Sequence, residues 1–286
     1  MIAIVTLLSA CSLFAQTQPQ SARGILIAAE SFDYPAGLLS GLDGGSGWNG
    51  PWFTSPLADT DSLAIAPGMP FKGLAGAGAR ARTPGNDVRT FRRIDARRPE
   101  LQPYLDNGRL GKDGTTIWMA FLMALSDVPG NKSTGYASVH LNDGVGDLTK
   151  DIYGGKFGHQ RVQIGDRNSA SVYFLGRVTN GGPGASIYDS TVPVDTRPRL
   201  VVVRFDFKPG DEYTAMFIDP PLGKEPPRDS AVVQGPMTDF RFDIVQIGSG
   251  GSTFASEQAD FDELRIGTTF ESVTPTVPAG VSSSIR

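Results

Sequence analysis

Apolar residues in this chain alternate with polar ones at a period of two, and no amphipathic pattern of helix length competes. In Leu200-Val201-Val202-Val203-Arg204-Phe205-Asp206-Phe207-Lys208 the odd positions are apolar while Arg204, Asp206 and Lys208 share the opposite face, as in a strand with one wet side. Asp239-Phe240-Arg241-Phe242-Asp243-Ile244 repeats the arrangement, and in 260–267 Asp262, Leu264 and Ile266 fall on one side, Glu263 and Arg265 on the other. The segment 115–125 is apolar on both faces from Ile117 onward, which suits a central strand. Its β-branched start and the following Asp127-Val128-Pro129-Gly130-Asn131 turn favour strand over a buried helix. Further strands are predicted from residue 24 to Tyr34, at 62–66, 88–94, 136–141, 160–164, 169–175 and 211–218, each bounded by Gly, Pro, Asn or Asp. Helices of 10 to 15 residues do not alternate with these strands, so a parallel α/β sheet is excluded and an all-β, two-sheet antiparallel sandwich is expected.

Composition agrees. With 35 Gly, 21 Pro, 40% hydrophobic and 20% charged residues, the chain has a real core cut by many turns. Its 286 residues fit one large sandwich, assigned here to 24–270. A net charge of −4 and an isoelectric point near 5.3 argue against nucleic acid or an anionic membrane as partner. Residues 1–15 are apolar and uncharged and lead into a polar stretch, the size of a signal-peptide core and too short to span a bilayer, although the usual basic start is missing. Two processing routes stay open: cleavage after Ala15, or Leu8-Ser9-Ala10-Cys11 as a lipoprotein box with Cys11 lipidated. Either way the mature form has no transmembrane span. Cleavage after Ala15 removes the one cysteine, and with it disulfides, thiol chemistry and cysteine-bound zinc. The Pro/Ser-rich segment 274–286 is expected to be disordered.

The segment Asp260-Phe261-Asp262-Glu263-Leu264-Arg265-Ile266-Gly267 resembles the closing strand of concanavalin A-like and laminin-G-like jelly-roll domains, which reads Asp-Glu-aliphatic-Arg-aliphatic. Glu30-Ser31-Phe32-Asp33-Tyr34 followed by Gly45-Ser46-Gly47-Trp48, and Val203-Arg204-Phe205-Asp206-Phe207 with Pro209-Gly210-Asp211, resemble other segments of that superfamily in exported bacterial proteins. The resemblance spans residues 25–270. It implies a jelly-roll sandwich of the lectin/glucanase type, placement outside a bacterial cell or on its surface, and first and last strands that pair, with Ser31 to Tyr34 beside Phe261 to Ile266. It also implies a structural Ca²⁺ at Asp262, completed by backbone carbonyls near Glu30 and Gly45, the oxygen shell that a hard cation takes. A salt bridge or strand-end cap at Asp262 is the alternative.

The chemistry of the chain is sparse. Sandwich glucanases carry Glu-x-Asp-x-Glu or a near variant on one strand, and no Glu here begins such a run; Glu257 and Asp260 are three apart, on opposite faces of a strand. Lyases of similar fold rely on His and Tyr beside an arginine, yet His140 and His159 sit in no recognised motif and read as surface or loop residues. Ile247-Gly248-Ser249-Gly250-Gly251-Ser252 reads as a loop and not as a nucleophile elbow. Arg89, Arg92, Arg93, Arg97 and Arg98 read as a solvated basic face. Trp48 and Trp52, on a glycine-rich loop, are the candidates for stacking on sugar rings, with plugging of an open end as the other reading, while Trp118 belongs to the core. A non-catalytic binding or adhesion module for polysaccharide or cell-surface glycan is the first expectation. A polysaccharide-active hydrolase or lyase and a structural surface protein are the alternatives.

Overall fold

The computed structural model describes residues 24–54, 61–76, 78–85, 88–126, 135–143, 160–166, 172–176, 186–251 and 258–277. The leader with Cys11, and also His159 and Glu257, lie outside the described residues.

Two large antiparallel sheets face each other in a jelly-roll sandwich. The first runs β16 (Val233–Met237), β15 (Glu212–Ile218), β14 (Arg199–Asp206), β9 (Thr116–Leu125), β18 (Ala259–Gly267), β5 (Arg80–Thr83), β4 (Leu63–Ile65), β2 (Gly37–Leu38), and β1 (Leu26–Glu30) also pairs with β18. The second runs β13 (Ile187–Pro193), β12 (Val172–Gly176), β11 (Gln160–Asp166), β10 (Gly135–Asn142), β17 (Ile244–Gly251), β6 (Val88–Arg93), β3 (Phe53–Thr54). A small hairpin joins β7 (Leu105–Asp106) to β8 (Arg109–Leu110). First and last strands are neighbours as expected, but slightly shifted: Ala28 faces Ile266 and Glu30 faces Leu264, so the contact uses residues before Ser31.

Alternation decides which side chains meet. Ile117, Met119, Phe121 and Met123 of β9 and Val201, Val203 and Phe205 of β14 point between the sheets and join Val139, Leu141, Val245 and Ile247 of the second sheet in one core. The other face of the first sheet is apolar as well. Trp118, Ala120, Leu122, Leu200, Val202 and Phe217 form a second cluster there, covered by Met69 and Leu74 from one loop and by Phe270 and Val273 from the last helix. This second cover explains why β9 reads as apolar on both faces.

Three expectations need correction. The alternating stretch 239–244 puts Phe240 and Phe242 into the core, but before β17 it makes an isolated bridge between Phe242 and Leu110 and single backbone bonds from Asp243 to Asn142 and from Ile94 to Asp243, so it is extended chain and not a strand of its own. The glycine-serine run at 247–251, expected as a loop, belongs to β17, where Ser249 is buried and its hydroxyl accepts from Gly85 N–H. Residues 274–277, counted in the expected disordered segment, are placed, while 278–286 lie outside the described residues. A one-turn helix, α1 (Phe270–Val273), is started by a Thr269/Ser272 capping box, Thr274 is buried, and Val277 N–H bonds to the Gly73 carbonyl.

The lid over the second cluster depends on Phe270, which is fully buried and meets Trp118 edge-on at 5.5 Å between centroids. Phe270→Ala should therefore cost about 3–5 kcal/mol, read as a lower urea midpoint; an unchanged midpoint would mean that α1 does not seal this face.

Candidate functional site

Glu30 ends β1 at the mouth of the sandwich, and its carboxylate has no access to water. It is paired with Arg92 of β6, which is also fully buried. Glu30 further accepts from Phe32 N–H at 2.8 Å, Tyr34 hydroxyl at 2.7 Å and Trp52 Nε1 at 3.1 Å. Arg92 spends its remaining donors on the Gly50 carbonyl at 3.0 Å and on Asp43 at 2.6 Å. Burial and the neighbouring Glu30 charge push the Tyr34 hydroxyl up to about 12, so it stays a donor throughout the neutral range. The basic cluster is thus a solvated face only in part: Arg92 is core, Arg93 and Arg98 pair with Asp243 and Glu100, and Arg97, paired with Asp95, keeps its side chain 75% exposed.

The glycine loop seats both tryptophans against this pair. Ser46 and Ala29 exchange backbone bonds at 2.9 Å, and Gly45, at φ 65°, lies so close that a Cβ would sit 2.3 Å from the Ala29 oxygen; only glycine fits. Trp48 then donates Nε1 to the Ala29 carbonyl at 2.9 Å. Trp52 stacks on Phe32 at 5.6 Å and is 1% exposed. The Arg92 guanidinium lies 5.3 Å from the Trp48 ring and 5.6 Å from the Trp52 ring. The expected sugar platform is corrected by this geometry: Trp52 has no free face, Trp48 is half-buried, and the two plug the end of the sandwich.

Asp262 is displaced from its expected face by a β-bulge. Glu263 adopts φ 48°, and the register with β9 slips between Asp262 and Arg265. Phe261, not Asp262, therefore joins Leu264 and Ile266 in the inner core. Asp262 points to the outer face, where its oxygens accept from Met69 N–H at 2.7 Å and Glu263 N–H at 2.8 Å. Burial pushes its carboxyl up to about 7. At the residues assigned to calcium, the Glu30 carboxylate is matched by a guanidinium and each Asp262 oxygen accepts a backbone amide hydrogen. Among the described residues no group of three or more His, Cys, Asp or Glu could hold a metal ion.

The outer face of the second sheet is a different surface. In β10 Ala137, Val139 and Leu141 enter the core, leaving Tyr136, Ser138, His140 and Asn142 on the far side. Register aligns Gln163, His140, Gln246 and Phe91 across four strands, and beside them Gly165, Ser138, Gly248 and Arg89. Ser138 Oγ lies 2.7 Å from His140 Nε2 and accepts from Gln163 Nε2 at 2.8 Å. Asn142 Nδ2 donates to Gln246 Oε1 at 3.2 Å, and Arg89 Nε donates to the Tyr136 hydroxyl at 3.2 Å. The Tyr136 ring meets the His140 ring edge-on at 6.0 Å. Burial, aided by the Arg89 charge, holds the imidazole well below its ordinary value, so it is neutral at neutral pH. Its expected place on the surface or in a loop is corrected accordingly. The signal was present in the sequence as Tyr136-x-Ser138-x-His140-x-Asn142 alternating with Ala137, Val139 and Leu141.

No protein-family profile matches the chain, and a comparison with curated proteins finds no match. Solved structures do match in fold. The T. cruzi calreticulin globular domain aligns over 87% of this chain and 90% of its own, with TM-score 0.52 and 12% identity. The botulinum neurotoxin type G receptor-binding domain aligns over 84% of this chain with TM-score 0.48 and 7% identity; the chain spans about half the length of that domain, 47%. At these identities the likeness shows the jelly-roll sandwich and nothing finer.

Two measurements probe these networks. Arg92→Met alone should destabilise by about 3–5 kcal/mol by stranding the Glu30 charge, whereas Arg92→Met with Glu30→Leu should recover most of that loss; equal losses in the single and double variants would contradict a buried ion pair. A carboxyl raised from 3.8 to about 7 binds its proton better in the folded state, so its stabilisation is full below pH 4 and is lost as pH rises through 7. Asp262→Asn should flatten that part of the melting-temperature profile, and calcium added to chelator-treated protein should leave the wild-type melting temperature unchanged.

Proposed function

We propose that this chain is a non-catalytic, exported binding module that takes a neutral polysaccharide or cell-surface glycan at the partly exposed Tyr136–Arg89 end of the outer face of the second sheet. The observation that carries this reading is the partly exposed Tyr136 ring, whose hydroxyl accepts from Arg89 Nε at 3.2 Å, set beside the buried polar rung of Gln163, His140 and Gln246. A ring face with hydroxyl and guanidinium groups at its edge matches the apolar face and the hydroxyls of a sugar. Tyr136 and Arg89, partly exposed, form the accessible end of the row. Among the described residues no outward position of β6, β10, β11 or β17 is Asp or Glu, so these four strands do not supply the paired carboxylates of glycoside hydrolysis. Export rests on the apolar leader, with Cys11 either removed or lipidated.

A second reading is favoured by one arrangement: Tyr136, His140 and Arg89 come together, the residue types on which lyases of similar fold rely. A neutral imidazole suits proton abstraction beside a cation that steadies a uronate carboxylate. A glycan array on the full chain, joined to assays for reducing ends and for the ultraviolet absorbance of unsaturated products, separates the two. Retention without turnover, weakened at least tenfold by Tyr136→Ala at unchanged melting temperature, is the expected result. Product release that is lost in His140→Ala would establish the lyase instead.

A further inference from the structure

The outer face of the first sheet carries a pocket of about 310 Å³ between the 67–70 loop and the 196–198 turn, lined by Arg80, Arg82, Asp260 and the rings of Pro67, Pro70 and Pro198 among others. Adjacent strands build its charged floor, because Asp260 of β18 faces Arg82 of β5 in register. Arg82 grips Asp260 with Nε at 2.7 Å and a terminal nitrogen at 2.8 Å, and Arg80 Nε reaches the same carboxylate at 2.9 Å. Two guanidinium groups thus share one carboxylate, leaving one positive charge in a concave, partly desolvated site of an acidic protein. Nearby carboxyls do not cancel it. Burial drives Asp262 toward its neutral form, and Asp195, next to the lining residue Thr196, is engaged by Arg197 at 2.5 Å.

The Arg80 and Arg82 side chains remain 18% and 30% exposed, enough to meet a ligand and little enough for the charge to be weakly screened. Arg82 Nε and Nη2 are spent on Asp260, and Arg80 Nε and Nη1 on Asp260 and the Pro67 carbonyl, while Arg82 Nη1 and Arg80 Nη2 take part in none of these bonds; charged N–H donors of this kind bind carboxylates. The proline rings add rigid apolar walls whose ordering costs little side-chain entropy. The volume lies at the lower end of the roughly 300–1,000 Å³ of small-ligand sites, which suits one sugar ring and not an extended chain.

We propose that this pocket is a second ligand site, distinct from the polar face of the second sheet, that takes a uronate residue of an acidic glycan, with its carboxylate on Arg80 and Arg82 and its ring against the prolines. Isothermal titration of the full chain with trigalacturonate, with maltotriose and sodium sulfate as controls, tests it. Trigalacturonate should bind, lose affinity as salt rises and exceed sulfate by at least tenfold, while maltotriose shows no dependence on Arg82. Arg82→Gln should weaken the acidic trisaccharide at least tenfold, and Tyr136→Ala, on the other face, should leave it unchanged. Asp260→Asn removes the competing carboxylate and should bind at least as tightly as wild type. It also decides the matter if Arg82→Gln fails to fold. No binding by wild type, sulfate binding as tight as the sugar, or weaker binding by Asp260→Asn at unchanged melting temperature would overturn the proposal.

Discussion

A positive and a negative charge sit together out of water where the two sheets close, and the mouth of the sandwich is organised around them. Glu30 belongs to the first sheet and Arg92 to the second, so their contact ties the layers with a directional bond that hydrophobic packing cannot supply. Burying such a pair costs several kcal/mol per ion, on the order recovered only when every lone pair and proton is matched. Here the matching is dense: Phe32 N–H, the Tyr34 hydroxyl and Trp52 Nε1 serve the carboxylate, and Gly50 and Asp43 serve the guanidinium. The tryptophans are consequently committed to structure. Their indole hydrogens and ring faces complete the shell of the ion pair, and the close approach at Gly45 that seats them serves the same end.

From that anchor the two sheets diverge in character. The first is apolar on both sides along β9, where the 69–74 loop and α1 seal it, so β9 runs through the centre of the molecule with no wet face, while at β5 and β18 its outer side turns charged. The second is apolar inside and mixed outside, where Phe91 stacks on Phe53. Its outer side collects hydroxyl, amide and imidazole groups that bond to one another, and a neutral histidine in such a setting is held in one arrangement before any ligand arrives. Interlocked polar groups pay less to reorganise on binding than scattered surface side chains do.

The period-two pattern made the architecture legible, because alternation reports which face of a strand is buried and strands of this kind admit few sandwich arrangements. The pairing of β1 with β18 came instead from the resemblance of the two end motifs to jelly-roll domains, and it uses residues 26–30 where that resemblance implied Ser31 to Tyr34. What escaped were the places where side-chain contacts or backbone irregularities override the pattern. Trp48 and Trp52 sit in a loop and look available; only the three-dimensional position of Glu30 and Arg92 shows that they are spent. Asp262 seemed to share a face with Leu264 and Ile266, and a single left-handed residue at Glu263 moved it to the other. The polar row of β10 was written in strict alternation, but its meaning depends on Gln163, Gln246 and Arg89, which come from three other strands and carry no common local motif.

The bulge at Glu263 also explains how one strand serves two tasks. Before it, residues 259–261 pair with β5 and place Asp260 against Arg80 and Arg82; after it, residues 264–267 pair with β1 and carry the strand to the Glu30 end. β18 keeps β9 as its neighbour on the other side throughout. The insertion of one residue lets the strand exchange partners along one edge without breaking the sheet, and the slip reverses the side-chain parity between the halves. An unbulged strand would send either Phe261 or Leu264 to the wrong face. The irregularity is therefore what allows a charged pocket floor and an uninterrupted apolar core to be built from the same nine residues.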